Sequence, residues 1–207
     1  MKLLVATRST GKQRELERLF AGSGIDVTFP DDVGILESPD EALLEGSDSF
    51  EANARHKAEY FARKTRLPTV ADDSGLEVLA LGGAPGVRSK RFSGFDGSPD
   101  VVDEANNDEL LRRLAGAPPE RRGARYRCVL VYLTRPDALA RPFEGICNGR
   151  ILDQRDGAEG FGYDPLFYSD DLHKPFGRAS AEEKDGVSHR GRAFQALKEY
   201  LKQNLPS

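Results

Sequence analysis

The chain begins with a short apolar run that leads directly into a helix-forming segment. Residues 2–6, KLLVA, have the composition of a short buried strand. The segment GKQRELERLF, residues 11–20, then places Leu16, Leu19 and Phe20 at helical spacing. A buried strand followed at once by an amphipathic helix is typical of an α/β fold, in which helices cover the faces of a sheet.

Helix and strand patterns alternate along the rest of the chain, and the last two strands are predicted to pair. The elements predicted after residue 20 are an irregular acidic segment at 22–48, a helix at 49–64 capped by Ser49, a short strand at 69–71 followed by a turn, a loop at 82–86, a helix at 99–114, strands at 125–134 and 143–151, and a final helix from residue 188. This order predicts a mixed sheet with helices on both sides. The length of the chain, 207 residues, suits a single domain, or two lobes that share a sheet.

Composition argues against several classes of protein. The net charge of −4 disfavours a general nucleic-acid binder. The longest early apolar run, residues 3–6, is too short for a signal peptide or a membrane span. Cys128 and Cys147 form neither a C-x-x-C pair nor a metal-binding cluster with the histidines. We therefore expect a cytoplasmic protein with reduced cysteines that binds neither nucleic acid nor membrane.

The segment TRSTGK, residues 7–12, lies between the first strand and the first helix, where phosphate-binding loops occur. It does not match the P-loop pattern, because alanine replaces the first glycine and glutamine follows the lysine. Free N–H groups at a helix start attract anions, but a capping turn with Ser9 or Thr10 as N-cap explains the residues equally well. Lys12 in the first turn opposes the helix dipole by roughly 0.3–1 kcal/mol, and a bound polyanion would remove that conflict.

Three other segments suggest chemistry, and each also has an ordinary structural explanation. VADDSG, residues 70–75, suits magnesium held together with phosphate oxygens, or an Asx-turn that ends a strand. Neighbours in an extended chain point to opposite faces, so Asp72 and Asp73 would have different surroundings. GFGYDP, residues 160–165, offers a ring that stacks on a nucleobase, or a tight turn with buried rings. SHRG, residues 188–191, places two cations in the first turn of the last helix. They would either lie near a bound anion or belong to a solvated turn.

Together these segments follow the order of one enzyme family. The sequence resembles the inosine/xanthosine triphosphate pyrophosphatases, which remove deaminated purine nucleotides. The resemblance rests on ATRSTGK, FEANARHKA, ADDSGLEVLALGGAPGVRSKRFSG, RCVLVYL, GFGYDPLFY and EEKDGVSHRGRA, which span nearly the whole chain. It implies one domain over residues 1–207, with an elongated mixed α/β sheet, two lobes and an active-site cleft between them. It also implies a homodimer and Mg²⁺-dependent hydrolysis of ITP, dITP and XTP to the monophosphate and pyrophosphate.

The resemblance also implies roles for individual residues. Asp73 would be the catalytic carboxylate and, with Glu45, a metal ligand. The implied substrate-binding residues are Thr7, Arg8, Ser9, Thr10, Gly11 and Lys12 at the triphosphate, Ser74 next to the catalytic aspartate, and Phe161, Gly162, Tyr163, Asp164, Lys184, His189 and Arg190 at the base. Arg8 and Ser9 depart from the family's usual T-G-N-x-G-K loop. The expected place of the acidic ligand before the second helix is Leu44, and Glu45 is the nearest acid.

Two rival functions remain open from the sequence. A P-loop NTPase or kinase would cleave off the γ-phosphate, and the failed P-loop pattern argues against it. A non-catalytic nucleotide sensor would bind without turnover, and the adjacent aspartates argue against that. For a pyrophosphatase, donors such as Lys184 and Arg190 would pair with the C6 carbonyl of hypoxanthine or xanthine and would lose that partner with adenine.

Overall fold

The computed structural model describes residues 1–204, whose strands form one seven-stranded mixed sheet. The strands are β1 Lys2–Val5, β2 Asp26–Thr28, β3 Thr69–Val78, β4 Gly123–Leu133, β5 Arg141–Ile151, β6 Phe167–Ser169 and β7 Lys174–Pro175. Their order is β2-β1-β3-β4-β5-β6-β7. β2 and β3 run parallel to β1, whereas β6 is antiparallel to both β5 and β7. The predicted mixed sheet is confirmed.

Five α-helices occur in residues 1–204, and the side chains of Ser9, Ser49, Ser180 and Ser188 cap four of them. The helices are α1 Thr10–Phe20, α2 Phe50–Thr65, α3 Pro99–Arg113, α4 Ala181–Val187 and α5 His189–Asn204. The hydroxyl oxygens of Ser9 and Ser49 accept from backbone N–H groups in the first turns of α1 and α2. Ser188 does the same at α5, where its Oγ lies 3.0 Å from the amide nitrogen of Gly191. Each satisfies a donor that the helix itself leaves without an acceptor.

Several expectations for the strands are wrong. The segment 22–48 is not irregular throughout, because it contains β2 and two 3₁₀ turns, Asp31–Val33 and Pro39–Glu45. β3 runs for ten residues without a break, so neither a turn nor an Asx-turn ends the strand at the aspartates. β6, β7 and α4 were not predicted, because they are too short to show a clear hydrophobic period.

The chain divides into two compact units. The first unit contains residues 1–73, 128–145 and those from 192 onward, and the second contains residues 74–127 and 146–191. β3, β4 and β5 contribute residues to both units.

Within the first unit, successive residues of β1 pack into different apolar clusters. Leu3 and Val5 pack with residues of α1 and α5, including the fully buried Phe194. Leu4, and Ala6 directly after the strand, pack with α2 residues instead. Because side chains alternate along a strand, helices cover both faces of the sheet in this unit.

The second unit has its own core, built around aromatic side chains. Tyr126 of β4 contacts the rings of Phe167 and Phe176, with ring centroids 4.7 and 6.1 Å away. Leu76 and Val78 of β3 are buried in the same cluster. No helix within residues 1–204 is long and apolar enough to cross a membrane.

Candidate active site

β3 presents two adjacent aspartates to opposite faces of the sheet. Val70 is buried in the apolar cluster that contains α1, and Ala71 in the cluster that contains α2. The alternation continues, so that Asp72 contacts a residue of α1 and Asp73 contacts residues of α2. The different surroundings predicted for the two carboxylates are confirmed.

Asp72 pairs with the lysine of the predicted phosphate-binding loop. Lys12 Nζ donates to Asp72 Oδ2 over 2.7 Å, and the aspartate side chain is 1% exposed. This carboxylate offsets the cation at the start of α1, so a bound anion is not needed to explain it. The lysine side chain remains 19% exposed and is therefore partly accessible to a ligand.

Asp73 lies against two polar residues of α2. Asn53 Nδ2 donates to Asp73 Oδ2 over 3.0 Å, and Lys57 Nζ lies 3.4 Å from Asp73 Oδ1. Burial raises the pKa of Asp73, and the charges of Lys57 and Lys12 with the Asn53 hydrogen bond only partly oppose that effect. The carboxyl group is therefore more basic than that of a free aspartate.

The ammonium group of Lys57 contacts both carboxylates that were predicted to bind a metal. Its Nζ also donates to Glu45 Oε1 over 2.8 Å. Burial lowers the pKa of Lys57, but the charges of Asp73, Glu45 and Asp72 outweigh burial and raise it. Lys57 is therefore charged at neutral pH and neutralises part of the acidic cluster.

The donor set around Lys57 fits magnesium. Residues 1–204 contain no group of three or more His, Cys, Asp or Glu side chains that could hold a metal ion. Magnesium, however, is commonly held by one or two carboxylates together with waters and substrate phosphate oxygens. Asp73 and Glu45 supply two carboxylates that converge on the ammonium of Lys57, and carboxylate oxygens are ligands of the kind that magnesium accepts.

The residues that follow β1 form a tight connection into α1. Thr7 is largely buried, and its Oγ1 accepts from the amide of Ser9 over 3.3 Å. Thr10 and Gly11 occupy the first two helical positions, where N–H groups have no acceptor within the helix. Arg8 points its guanidinium at acidic residues of the first unit, Glu41 and Asp31.

A second group of predicted residues belongs to the second unit and surrounds Asp164. Asp164 Oδ2 accepts from Lys184 Nζ over 2.6 Å and from the amide of Phe161 over 2.9 Å. The hydroxyl of Tyr126 donates to the other carboxylate oxygen over 3.4 Å. Gly160 has a φ of 82°, and a Cβ there would lie 2.0 Å from Asp164 Oδ2. Only glycine therefore lets this loop close over the buried carboxylate.

Phe161 is the exposed ring of this loop. Phe161 is 37% exposed, whereas Tyr163 is buried. Lys184 Nζ lies 4.7 Å from the centre of the Phe161 ring, and the guanidinium carbon of Arg190 lies 5.8 Å from it. Arg190 also donates to Ser74 Oγ over 3.0 Å. An exposed ring with two cations beside it is a surface on which a planar base can stack.

His189 lies inside the second unit. Its ring stacks on Tyr126, with centroids 4.7 Å apart and an interplanar angle of 9°. Burial, followed by the charge of Asp164, raises the pKa of Tyr126, so its hydroxyl keeps its proton and can donate to Asp164. Contact of His189 and of the inward-facing Asp164 with a base stays a prediction.

Four polar residues that hold these groups in place were not predicted from the sequence. Asn53 and Lys57 support Asp73, as described above. On α3, Asp103 Oδ2 accepts from the amide of Gly162 over 2.7 Å, and Asn107 Nδ2 donates to the carbonyl of Gly162 over 2.9 Å. The members of each pair are four residues apart and share a helix face. Such a polar pair beside a buried stripe is the signal that would have indicated them.

Comparison with known proteins identifies the family of this chain. A sequence model described as the Ham1 family matches residues 3–200. The chain belongs to the Ham1 family. A dITP/XTP pyrophosphatase of Anaeromyxobacter sp. (strain Fw109-5) is 43% identical, with 97% of this chain and 96% of that protein covered. The family resemblance inferred from the motifs is therefore confirmed.

Solved structures give the same result for this Ham1 family member. The Ham1 protein of Staphylococcus aureus superposes with a TM-score of 0.82 at 33% identity. The match covers 99% of this chain and 100% of that one. A nucleoside-triphosphatase / dITP/XTP pyrophosphatase of Mycobacterium abscessus ATCC 19977 / DSM 44196 gives a TM-score of 0.72 at 41% identity, covering 95% of this chain and 98% of that one.

Lys184 and Lys174 provide a matched test of how much the buried ion pair stabilises the fold. Each ammonium lies 2.6 Å from a carboxylate oxygen, but the Lys184–Asp164 side chains are 9% and 3% exposed, against 33% and 45% for Lys174–Glu183. Lys184→Met should lower the free energy of unfolding by about 3–5 kcal/mol, because Asp164 loses the cation that compensates its burial. Urea unfolding should show little change in the free energy of unfolding for Lys174→Met. Equal losses of stability in the two variants would contradict the larger contribution expected from the buried Lys184–Asp164 pair.

Proposed function

We propose that this protein hydrolyses the deaminated purine nucleoside triphosphates ITP, dITP and XTP to the nucleoside monophosphate and pyrophosphate. The observation that carries the proposal is the arrangement of Asp72 and Asp73 on β3, one paired with Lys12 at a helix start and the other with Lys57. Relatives covering nearly the whole chain bear the name dITP/XTP pyrophosphatase. The reaction would keep deaminated bases out of DNA and RNA.

The triphosphate is assigned to the segment Thr7 to Lys12. Phosphate oxygens would accept from the first N–H groups of α1, at Thr10 and Gly11, and from the ammonium of Lys12. Ser9 already caps the helix through its hydroxyl and so orders this turn before any ligand binds. The cation of Lys12 would stabilise negative charge as the phosphoanhydride bond breaks.

Magnesium is assigned to Asp73 and Glu45. When bound there it would offset negative charge on the phosphate oxygens. The protein itself contributes Lys57, which keeps the two carboxylates close together, and Asn53, which fixes the orientation of Asp73.

Water is proposed to attack the α-phosphorus, with pyrophosphate as the leaving group. Phosphoryl transfer requires little covalent chemistry from the protein, which acts by positioning the reactants and offsetting their charge. Asp73 is the residue that would orient the water and accept its proton, since its Oδ2 is held by Asn53.

The base is assigned to the second unit. Phe161 would stack on the purine, and Lys184 and Arg190 would donate to the carbonyl at C6. Ser74 holds the guanidinium of Arg190, which orients its donors. Adenine has an amino group at C6, so these donors would lose their acceptor, and sites of that kind discriminate strongly. The homodimer, the cytoplasmic location and the absence of nucleic-acid and membrane partners stay predictions from the sequence.

The products formed from ITP separate this function from its rivals. With Mg²⁺ present, we expect equimolar IMP and pyrophosphate, identified by anion-exchange chromatography and a pyrophosphate assay. IDP with orthophosphate would instead identify a γ-phosphatase. Binding of ITP without any product would identify a nucleotide sensor.

Asp73→Asn tests the role of the catalytic carboxylate. The substitution keeps the size of the side chain but removes its charge, so turnover of ITP at saturating Mg²⁺ should fall by roughly 10²–10⁴-fold. Glu51→Gln is the control, because Glu51 is an exposed acid of α2 that pairs only with Arg55 among the contacts described. Circular dichroism and urea unfolding should show both variants folded. Activity of Asp73→Asn close to that of the control would contradict the role.

A further inference from the structure

We propose that Arg8 is a positioning residue, which holds the acidic segment Pro39–Glu45 against the phosphate-binding loop and does not bind the triphosphate. The segment carries Glu45, one of the two carboxylates assigned to magnesium. The kinetic part of the proposal rests on the pyrophosphatase function proposed above. The structural part concerns only residues of the first unit and is tested without substrate.

Arg8 is engaged by carboxylates on two sides. Its Nε and Nη2 donate to the two carboxylate oxygens of Glu41 over 3.0 and 2.8 Å, and Nη1 donates to Asp31. The Arg8 and Glu41 side chains are 20% and 12% exposed. The guanidinium carbon also lies 5.8 Å from the centre of the Phe61 ring of α2. A two-pronged, partly buried pair of this kind is stronger and more directional than an exposed ion pair.

The same contacts disfavour a direct role in holding phosphate. Glu41 accepts from Nε and Nη2 and Asp31 accepts from Nη1, so three of the five guanidinium N–H groups, including one complete two-pronged edge, already donate to carboxylates and a phosphate would compete with them. The hydrogen bond to Glu41 raises the pKa of Arg8 despite partial burial, which is the direction expected for a cation already matched by an anion.

Glu41 transmits this contact to the metal-binding region. Glu41 and Glu45 lie in one 3₁₀ turn, Pro39–Glu45, whose start is capped by Ser38. Glu41 anchors that turn to Arg8, and Glu45 anchors it to Lys57 of α2. Arg8 itself stands between Thr7 and Ser9, the residues that order the start of α1. The Arg8–Glu41 pair therefore sets the distance between the phosphate-binding loop and Glu45.

The alternative is that Arg8 leaves Glu41 when the nucleotide arrives and binds the triphosphate. In that case Glu41 competes with substrate, so Glu41→Ala should leave the KM for ITP unchanged or lower it. If Arg8 is a positioning residue, Glu41→Ala removes the same contact as Arg8→Ala and should cause the same loss.

A double-mutant cycle separates the two accounts. For ITP at saturating Mg²⁺, we expect Arg8→Ala and Glu41→Ala each to lower kcat/KM about tenfold, and the double variant to lose about tenfold rather than a hundredfold. A normal or improved kcat/KM in Glu41→Ala beside a loss in Arg8→Ala would overturn the proposal. Losses that multiply in the double variant would overturn it as well.

Hydrogen exchange supplies a readout that needs neither substrate nor metal. Amides of residues 40–45 should exchange faster in Arg8→Ala and in Glu41→Ala than in the wild type, and to the same extent in the two variants. Arg55→Ala is the matched control, because Arg55 forms a 2.8 Å pair with Glu51 on the outside of α2 and should leave this segment unchanged. Unchanged exchange in both Arg8→Ala and Glu41→Ala would overturn the positioning role of Arg8. Failure of the wild type to release pyrophosphate from ITP would instead count against the proposed function alone.

Discussion

The candidate site depends on the alternation of side chains along one strand. β3 stays extended through Asp72, Asp73 and Ser74, so consecutive side chains point in opposite directions. Asp72 therefore contacts Lys12 of α1, and Asp73 contacts Asn53 and Lys57 of α2. A shift of one residue in the pairing of this strand would exchange the two carboxylates between faces. The roles proposed for them follow from the register of β3 in the sheet.

Burying two adjacent carboxylates in a central strand requires nearby positive charge. Lys12 and Lys57 provide it, one on each face of the sheet. Loss of one partner from a buried pair commonly costs about 3–5 kcal/mol, because the remaining charge is left in a poorly solvating environment. The lysines thus serve the fold as well as the proposed chemistry. The strand tolerates two charged residues because each is matched by a cation from a helix on its own face.

Much of the fold was predictable because its signals are local. The apolar runs of β1 and β4 and the periodic leucines and phenylalanines of α1 and α5 occur within single segments of sequence. The course of β3 was not predictable in the same way. Two aspartates followed by serine and glycine favour a turn, and the contact that keeps Asp72 in a strand comes from Lys12, 60 residues earlier.

The same distinction separates the site residues that the sequence indicated from those it did not. Motif resemblance pointed to Asp73, Lys184 and Arg190, whereas the roles of Lys57 and Asp103 are defined by their tertiary partners. The direction of Arg8 also depends on a distant residue, since Glu41 lies 33 positions later in the chain. Local patterns indicate which residues are chemically suitable, but three-dimensional contacts decide what each side chain binds.

The central claim is that the triphosphate is held so that water reaches the α-phosphorus. Hydrolysis of ITP in water enriched in ¹⁸O tests this directly, because the attacked phosphorus keeps the oxygen of the water. Mass spectrometry of the products should find one ¹⁸O atom in IMP and none in the pyrophosphate. Label in the pyrophosphate would show attack on the β-phosphorus and would contradict the proposed placement of the substrate.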